Sequence, residues 1–130
     1  MTWFRRPLTP RATQGRRAEG LARRFLTAQG FVVHQANVRF PVGEIDLVAT
    51  EGPILCFVEV RSTSSLQWGG PLASITDRKR RRLIRAAHWY LARCRHRPEQ
   101  MRFDVVAVSW QHVRPTVELV RGAFDASEPL

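Results

Sequence analysis

Lysine is almost missing from this chain. Lys79 is the only one among 21 basic residues, so the formal charge of +10 rests on arginine set against 11 acidic residues. An excess of that size predicts attraction to a polyanion, and arginine is the better bidentate ligand for phosphate. An arginine bias also arises from the nucleotide composition of a genome, so both origins stay open. Cysteine is nearly as scarce. Cys56 and Cys94 are too few for a disulfide framework, and both fall on apolar faces, as reduced core thiols do. The four histidines show no metal-ligand spacing, which argues against a zinc site. Long apolar runs are lacking too. No stretch reaches membrane-spanning length, and Met1 to Pro7 contains no signal-peptide core. The expectation is a soluble cytoplasmic protein with no membrane partner.

What is present suits one domain. A 44% hydrophobic content over 130 residues is enough for a real core. Residues 1–12 combine Pro7, Pro10 and three arginines and predict a flexible basic arm; residues 13–124 would form the domain, and 125–130 a frayed tail. Ala18, Leu21, Ala22, Phe25 and Leu26 recur at helical spacing, so a helix is expected from about Thr13 to Gln29, stopped by Gly30. Three strands follow, over Phe31 to Phe40, Glu44 to Thr50 and Ile54 to Ser62, joined by the turn residues Pro41-Val42-Gly43 and Glu51-Gly52-Pro53. A polar, glycine-rich loop spans Thr63 to Pro71. Ser74 or Thr76 caps a second helix with Leu83, Ile84, Ala87, Tyr90, Leu91 and Cys94 on one face, and Pro98 and Glu99 break it. A buried strand from Arg102 to Val108 is reached by this helical crossover, which makes it parallel to its neighbour. A short strand over Thr116 to Val120 ends the domain, with fraying from Arg121. The fold class is α/β: a mixed sheet flanked by a helix on each face.

Two of these strands carry carboxylates where apolar residues belong. Gly43-Glu44-Ile45-Asp46-Leu47-Val48 and Leu55-Cys56-Phe57-Val58-Glu59-Val60-Arg61 are otherwise core-like. Alternation places Glu44 with Asp46 on one face, and Glu59 with Arg61 on one face of the next strand. A charged carboxylate among such neighbours costs several kcal/mol unless it is paired or binds a metal. Asp46 and Glu59 are spaced to meet across a hairpin at about 5 Å, where their charges repel unless a cation lies between them. Mg²⁺ or Mn²⁺ would answer this, using both carboxylates, the Val60 carbonyl and waters. Arg61 could then stabilise charge on a bound phosphate. Acidic residues on strands also serve as edge guards or as partners for surface arginines.

Glu19 lies at the border of the first helix's apolar stripe, from which it could reach the same point or pair with Arg23 one turn on. The run Arg78-Lys79-Arg80-Arg81-Arg82 opens the second helix, where the helix dipole disfavours cations, which suggests contacts with nucleic-acid phosphates; a solvated basic face is the alternative. Trp68, alone in its loop, could plug the edge of the core or stack on a nucleobase.

Gly43 to Val48, then Phe57-Val58-Glu59-Val60-Arg61, Lys79 and Arg102-Phe103-Asp104-Val105-Val106, with Gly15-x-x-x-Glu19-x-x-Ala22 upstream, resemble the YraN-like family of small bacterial proteins. The resemblance runs from about residue 15 to about residue 124. It implies a branch of the restriction-endonuclease-like superfamily near the Holliday junction resolvases, with an α-β-β-β-α-β core. It further implies a metal-dependent site with Asp46 as first acid, Glu59 as second and Glu19 as the helix carboxylate. Glu44 would stand behind them. The implied activity is cleavage of DNA, including branched DNA, and two-fold substrates of that kind suggest a homodimer. The sequence departs from the pattern at one position: the motif lysine is Arg61 here. Arginine keeps the charge and can still bind the scissile phosphate but cannot serve as a base. Lys79 could supply the amine from the second helix, and the alternative is a nucleic-acid-binding or adaptor module without catalysis.

Overall fold

The computed structural model describes residues 10–63, 75–110 and 113–125. Chain order is α1 (Pro10–Ala28), β1 (Val32–Phe40), β2 (Gly43–Glu51), β3 (Ile54–Thr63), α2 (Asp77–Ala92), β4 (Gln100–Ser109) and β5 (Thr116–Phe124). The strands form one sheet in the order β1-β2-β3-β4-β5. All neighbours are antiparallel except β3 and β4, which run parallel in register from Ile54 opposite Gln100 to Thr63 opposite Ser109. This is the expected α-β-β-β-α-β core, with the expected last strand at the edge of the sheet.

Each face of the sheet buries one helix. Ala18, Ala22 and Leu26 of α1 pack with Leu47, Ala49, Cys56, Val58, Val106 and Val108. Leu83, Ile84, Ala87 and Leu91 of α2 pack with Val48, Phe57, Phe103, Val105 and Phe124 on the other face. β3 is covered on both sides, with Cys56, Phe57 and Val58 fully buried, which is why its sequence is nearly continuous in apolar character. Both turns of the meander have two residues, since Phe40 pairs with Gly43 and Glu51 with Ile54. Gly52 takes φ 57° in the second of them, a conformation glycine reaches at no steric cost.

Several boundaries differ from expectation. α1 begins at Pro10, three residues early, because proline's fixed φ suits the first helical position, where its missing N–H costs nothing. The arm expected over residues 1–12 otherwise lies outside the described residues, as do Ser74, Trp68 and most of its loop. Thr76 is the cap of α2, its hydroxyl accepting from the Lys79 N–H at 3.2 Å. That helix ends at Ala92, well before Pro98, so Cys94 lies just beyond it and both cysteines are unpaired.

The chain does not fray at Arg121. β5 continues to Phe124 because this edge is tied by charge. Asp104, fully buried, accepts from Arg102 Nε at 2.7 Å, from Arg102 Nη2 at 2.9 Å and from the Gly122 N–H at 2.9 Å. Glu51 joins the network, 2.8 Å from both Arg102 Nη2 and Arg121 Nη2. A buried carboxylate so fully satisfied needs no ligand, and the network fastens β5 to β4 and β2.

Candidate metal-binding carboxylate site

β2 and β3 form a regular ladder only from Glu51 opposite Ile54 to Leu47 opposite Val58. Beyond Leu47 the pairing stops, and a side chain takes over: Asp46 Oδ2 accepts the Val60 N–H at 2.8 Å. The strand also changes face here. Leu47 and Ala49 belong to the core under α1, whereas Ile45 belongs to the core under α2. Asn37 shares this break. It lies between the pairs Ala36–Leu47 and Val38–Ile45, directly across from Asp46, and has φ 53°. Asparagine is one of the few L-residues that enters this left-handed region at modest cost.

Asn37 also explains Glu19. Its amide Nδ2 donates to both oxygens of the Glu19 carboxylate at 3.0 Å, holding α1 against the break in the sheet. Glu19 is thus fixed across from Asp46, near enough for its charge to raise the Asp46 pKa. A sequence reading looks for the partner of Glu19 one helical turn away and misses Asn37. The only signal was an asparagine inside a strand, where that residue is depleted.

Asp46 and Glu59 come together where β2 and β3 separate. Burial raises the pKa of both carboxyls. For Glu59 the rise is from 4.5 to about 8, driven first by burial, then by the Asp46 charge and a hydrogen bond to Asp46, against relief from Arg61 and Lys79. Asp46 is held lower by the Val60 N–H and by that shared hydrogen bond, while the charges of Glu44 and Glu19 push it up. Two carboxyls this close, each raised by burial and Glu59 further by the charge of Asp46, favour a state in which a single proton lies between them.

Cations complete the site. Arg61 Nη1 stands 3.8 Å from Glu59 Oε1, on the same strand face. A cavity of about 220 Å³ opens over the pair, lined by Glu44, Asp46, Glu59, Lys79, Arg82 and Leu83. Glu44 is also 3.6 Å from Arg39 Nε. The basic run at the start of α2 divides. Lys79 and Arg82 line the cavity, Arg78 and Arg81 are exposed, and Arg80 turns away to lie 5.6 Å over the Phe124 ring. Close approach of α2 depends on Gly43, since a Cβ there would lie 2.8 Å from the Arg82 carbonyl oxygen. Among the described residues no group of three or more His, Cys, Asp and Glu side chains is placed to hold a metal ion.

A model of the Uncharacterised protein family UPF0102 matches residues 18–108. Three similar relatives bear the same family name. One, from Anaeromyxobacter sp., is 44% identical over 88% of this chain and 86% of its own length. Another, from Desulfosudis oleivorans, is 42% identical over 92% of this chain and 96% of its own. A third, from Methylococcus capsulatus, is 43% identical over 93% and 94%. The chain belongs to the UPF0102 family. The UPF0102 match takes in α1 from Ala18, the whole meander, α2 and nearly all of β4, and so every residue of the carboxylate site. It stops short of β5, so Arg121 and Gly122 of the edge network lie beyond it. No helix among the described residues is long and apolar enough to cross a membrane.

Proposed function

We propose that this UPF0102 protein is a divalent-metal-dependent nuclease that hydrolyses phosphodiester bonds in DNA. The observation that carries the proposal is the Asp46–Glu59 pair: two largely buried carboxyls brought together under a cavity whose other walls are Glu44, Lys79, Arg82 and Leu83. Arg61 stands 3.8 Å from Glu59, yet Asp46 still faces Glu59 and its charge raises the Glu59 pKa, which a simple ion pair does not do.

Mg²⁺ and Mn²⁺ fit this donor set. Such hard cations take one or two carboxylates and fill the remaining positions with water and substrate phosphate oxygens, so a pair is sufficient. Asp46 and Glu59 would hold the cation, joined by the Val60 carbonyl, with Glu19 acting at one remove through water. Bound there, it would supply Lewis acidity to the scissile phosphate and lower the pKa of a coordinated water. The chain's own groups do the rest. Arg61, anchored beside Glu59, binds the phosphate and offsets charge that develops on it. Lys79 and Arg82 approach from α2 to fix the strand, and Lys79 is the only lysine side chain in the sequence. Glu44 tunes Asp46 by its charge. Arg78 and Arg81 extend the phosphate contacts along the surface, and a homodimer would present two such sites to a branched substrate.

A second reading rests on Arg61, which cannot act as a base: the protein binds DNA without cutting it. One assay separates them. Linear, flapped and four-way DNA are incubated with Mg²⁺ or Mn²⁺ and either wild type or Asp46→Asn. Metal-dependent cleavage that falls about a hundredfold or more in the variant, the scale for losing a preorganised charge-stabilising group, supports the nuclease. Salt-sensitive binding without cleavage supports the second reading, and neither binding nor cleavage contradicts both.

A further inference from the structure

One face of α2 runs on from the carboxylate site, starting at Arg82, into surface groups that the site does not use. Arg82, Arg85, Trp89 and Arg93 follow one another at three- and four-residue intervals, so they form a single stripe. The stripe starts in the cavity wall at Arg82 and ends at the helix C-cap, Arg93. Eleven residues at about 1.5 Å rise make it about 16 Å long, the length of about four or five stacked nucleotides. Asp77, at the opposite end, is the only acidic residue in α2.

Trp89 is the unusual member. It is 37% exposed, the one aromatic among the large exposed hydrophobics of the described residues. Its indole is nevertheless held in place. The Arg93 guanidinium lies 4.9 Å from the Trp89 ring and 5.3 Å from the Phe40 ring, and Arg93 Nη1 donates to the Trp89 carbonyl at 3.0 Å. Phe40, at the tip of the first hairpin, is 5.9 Å from Trp89. A half-exposed aromatic held by a guanidinium, on a stripe of further arginines, is the device by which proteins hold unpaired bases: the ring stacks and the cations take the phosphates.

We propose that this stripe is a track for single-stranded DNA leading away from the carboxylate site, with Trp89 stacking an unpaired base and Arg82, Arg85 and Arg93 contacting phosphates. It rests on the nuclease reading for its direction and substrate, and it would make the preferred substrate a duplex bearing a single-stranded flank. The test uses binding in EDTA, where no cleavage occurs. Fluorescence anisotropy compares a blunt duplex with the same duplex carrying an oligothymidylate overhang, for wild type, Trp89→Ala, Trp89→Phe and Arg85→Gln.

Wild type should prefer the overhang. Trp89→Ala should lose about 5- to 100-fold for the overhang alone, the range for one stacked base, while Trp89→Phe keeps most of the preference. Arg85→Gln, a surface change with no role in packing, should weaken overhang binding and flatten its salt dependence. Asp46→Asn should keep the preference whether or not it cleaves, so failure of the nuclease reading and failure of the track are seen separately. Equal affinity of wild type for blunt and overhang DNA would overturn the proposal. So would a Trp89→Ala protein that melts like wild type and binds the overhang as well, or an overhang of RNA bound more tightly than DNA.

Discussion

Raising the pH should destabilise the protein through Glu59. Folding places this carboxyl between Asp46 and the core, and its pKa climbs from 4.5 to about 8. Between those values the folded chain holds a proton that the unfolded chain releases. The resulting stability is fully present below about pH 4.5 and is lost as pH rises through about 8. Asp46 is raised as well and acts in the same direction. At about 1.4 kcal/mol per pH unit, a gap of that width is worth on the order of 3–5 kcal/mol, a large part of the stability of a small domain. Urea unfolding at pH 5, 7 and 9 measures it. Wild type should lose on the order of 3 kcal/mol or more across the range, the effect being moderated by the 19% exposure of the Glu59 side chain. Glu59→Gln should flatten most of the slope and surpass wild type at pH 9, because a neutral amide never charges. A wild-type slope that Glu59→Gln leaves unchanged would refute the shared-proton arrangement.

Arg61→Lys, which restores an amine to the strand beside Glu59, should raise metal-dependent cleavage, and Arg61→Gln should lower it about tenfold or more; initial rates on a labelled duplex report both. Gly43→Ala should cost about 1–3 kcal/mol in thermal unfolding, since its Cβ would lie 2.8 Å from the Arg82 carbonyl oxygen. Asn37→Gly should keep the backbone at φ 53° but release Glu19, so cleavage falls while stability changes by less than about 1 kcal/mol; Asn37→Ala adds the strain of a left-handed alanine. Asp104→Ala should destabilise by about 3–5 kcal/mol on denaturant titration, because it leaves Arg102 Nε and the Gly122 N–H without their buried acceptor, Glu51 still holding Arg102 Nη2.

The parts legible in the sequence were those set by near neighbours. Charges that interrupt apolar runs marked Asp46 and Glu59, and the turn residues after Phe40 and Glu51 fixed which strands met. Periodicity located both helices, and the crossover made β4 parallel to β3. What escaped depends on partners distant along the chain. Arg121 and Gly122 look like a loose end until Glu51 and Asp104 are placed beside them. Glu19 finds Asn37 on the neighbouring strand, and Asn37 matters because the ladder breaks opposite it at Asp46. The basic run at the start of α2 read as one surface, but helical geometry sends Lys79 and Arg82 into the cavity and Arg80 toward Phe124. Trp89 lies off the apolar face of α2, and its exposure next to Arg93, which sets it apart, is visible only in the structure.

The central claim is that Asp46 and Glu59 exchange their shared proton for a metal ion. Calorimetric titration of Mn²⁺ at pH 7, repeated in buffers of different ionisation enthalpy, tests it most directly. The carboxylate pair predicts one Mn²⁺ per chain, bound with release of up to one proton, because Glu59 stays largely protonated until about pH 8. It also predicts that Asp46→Asn abolishes that binding. No heat at millimolar Mn²⁺, or binding that Asp46→Asn leaves intact, would contradict it.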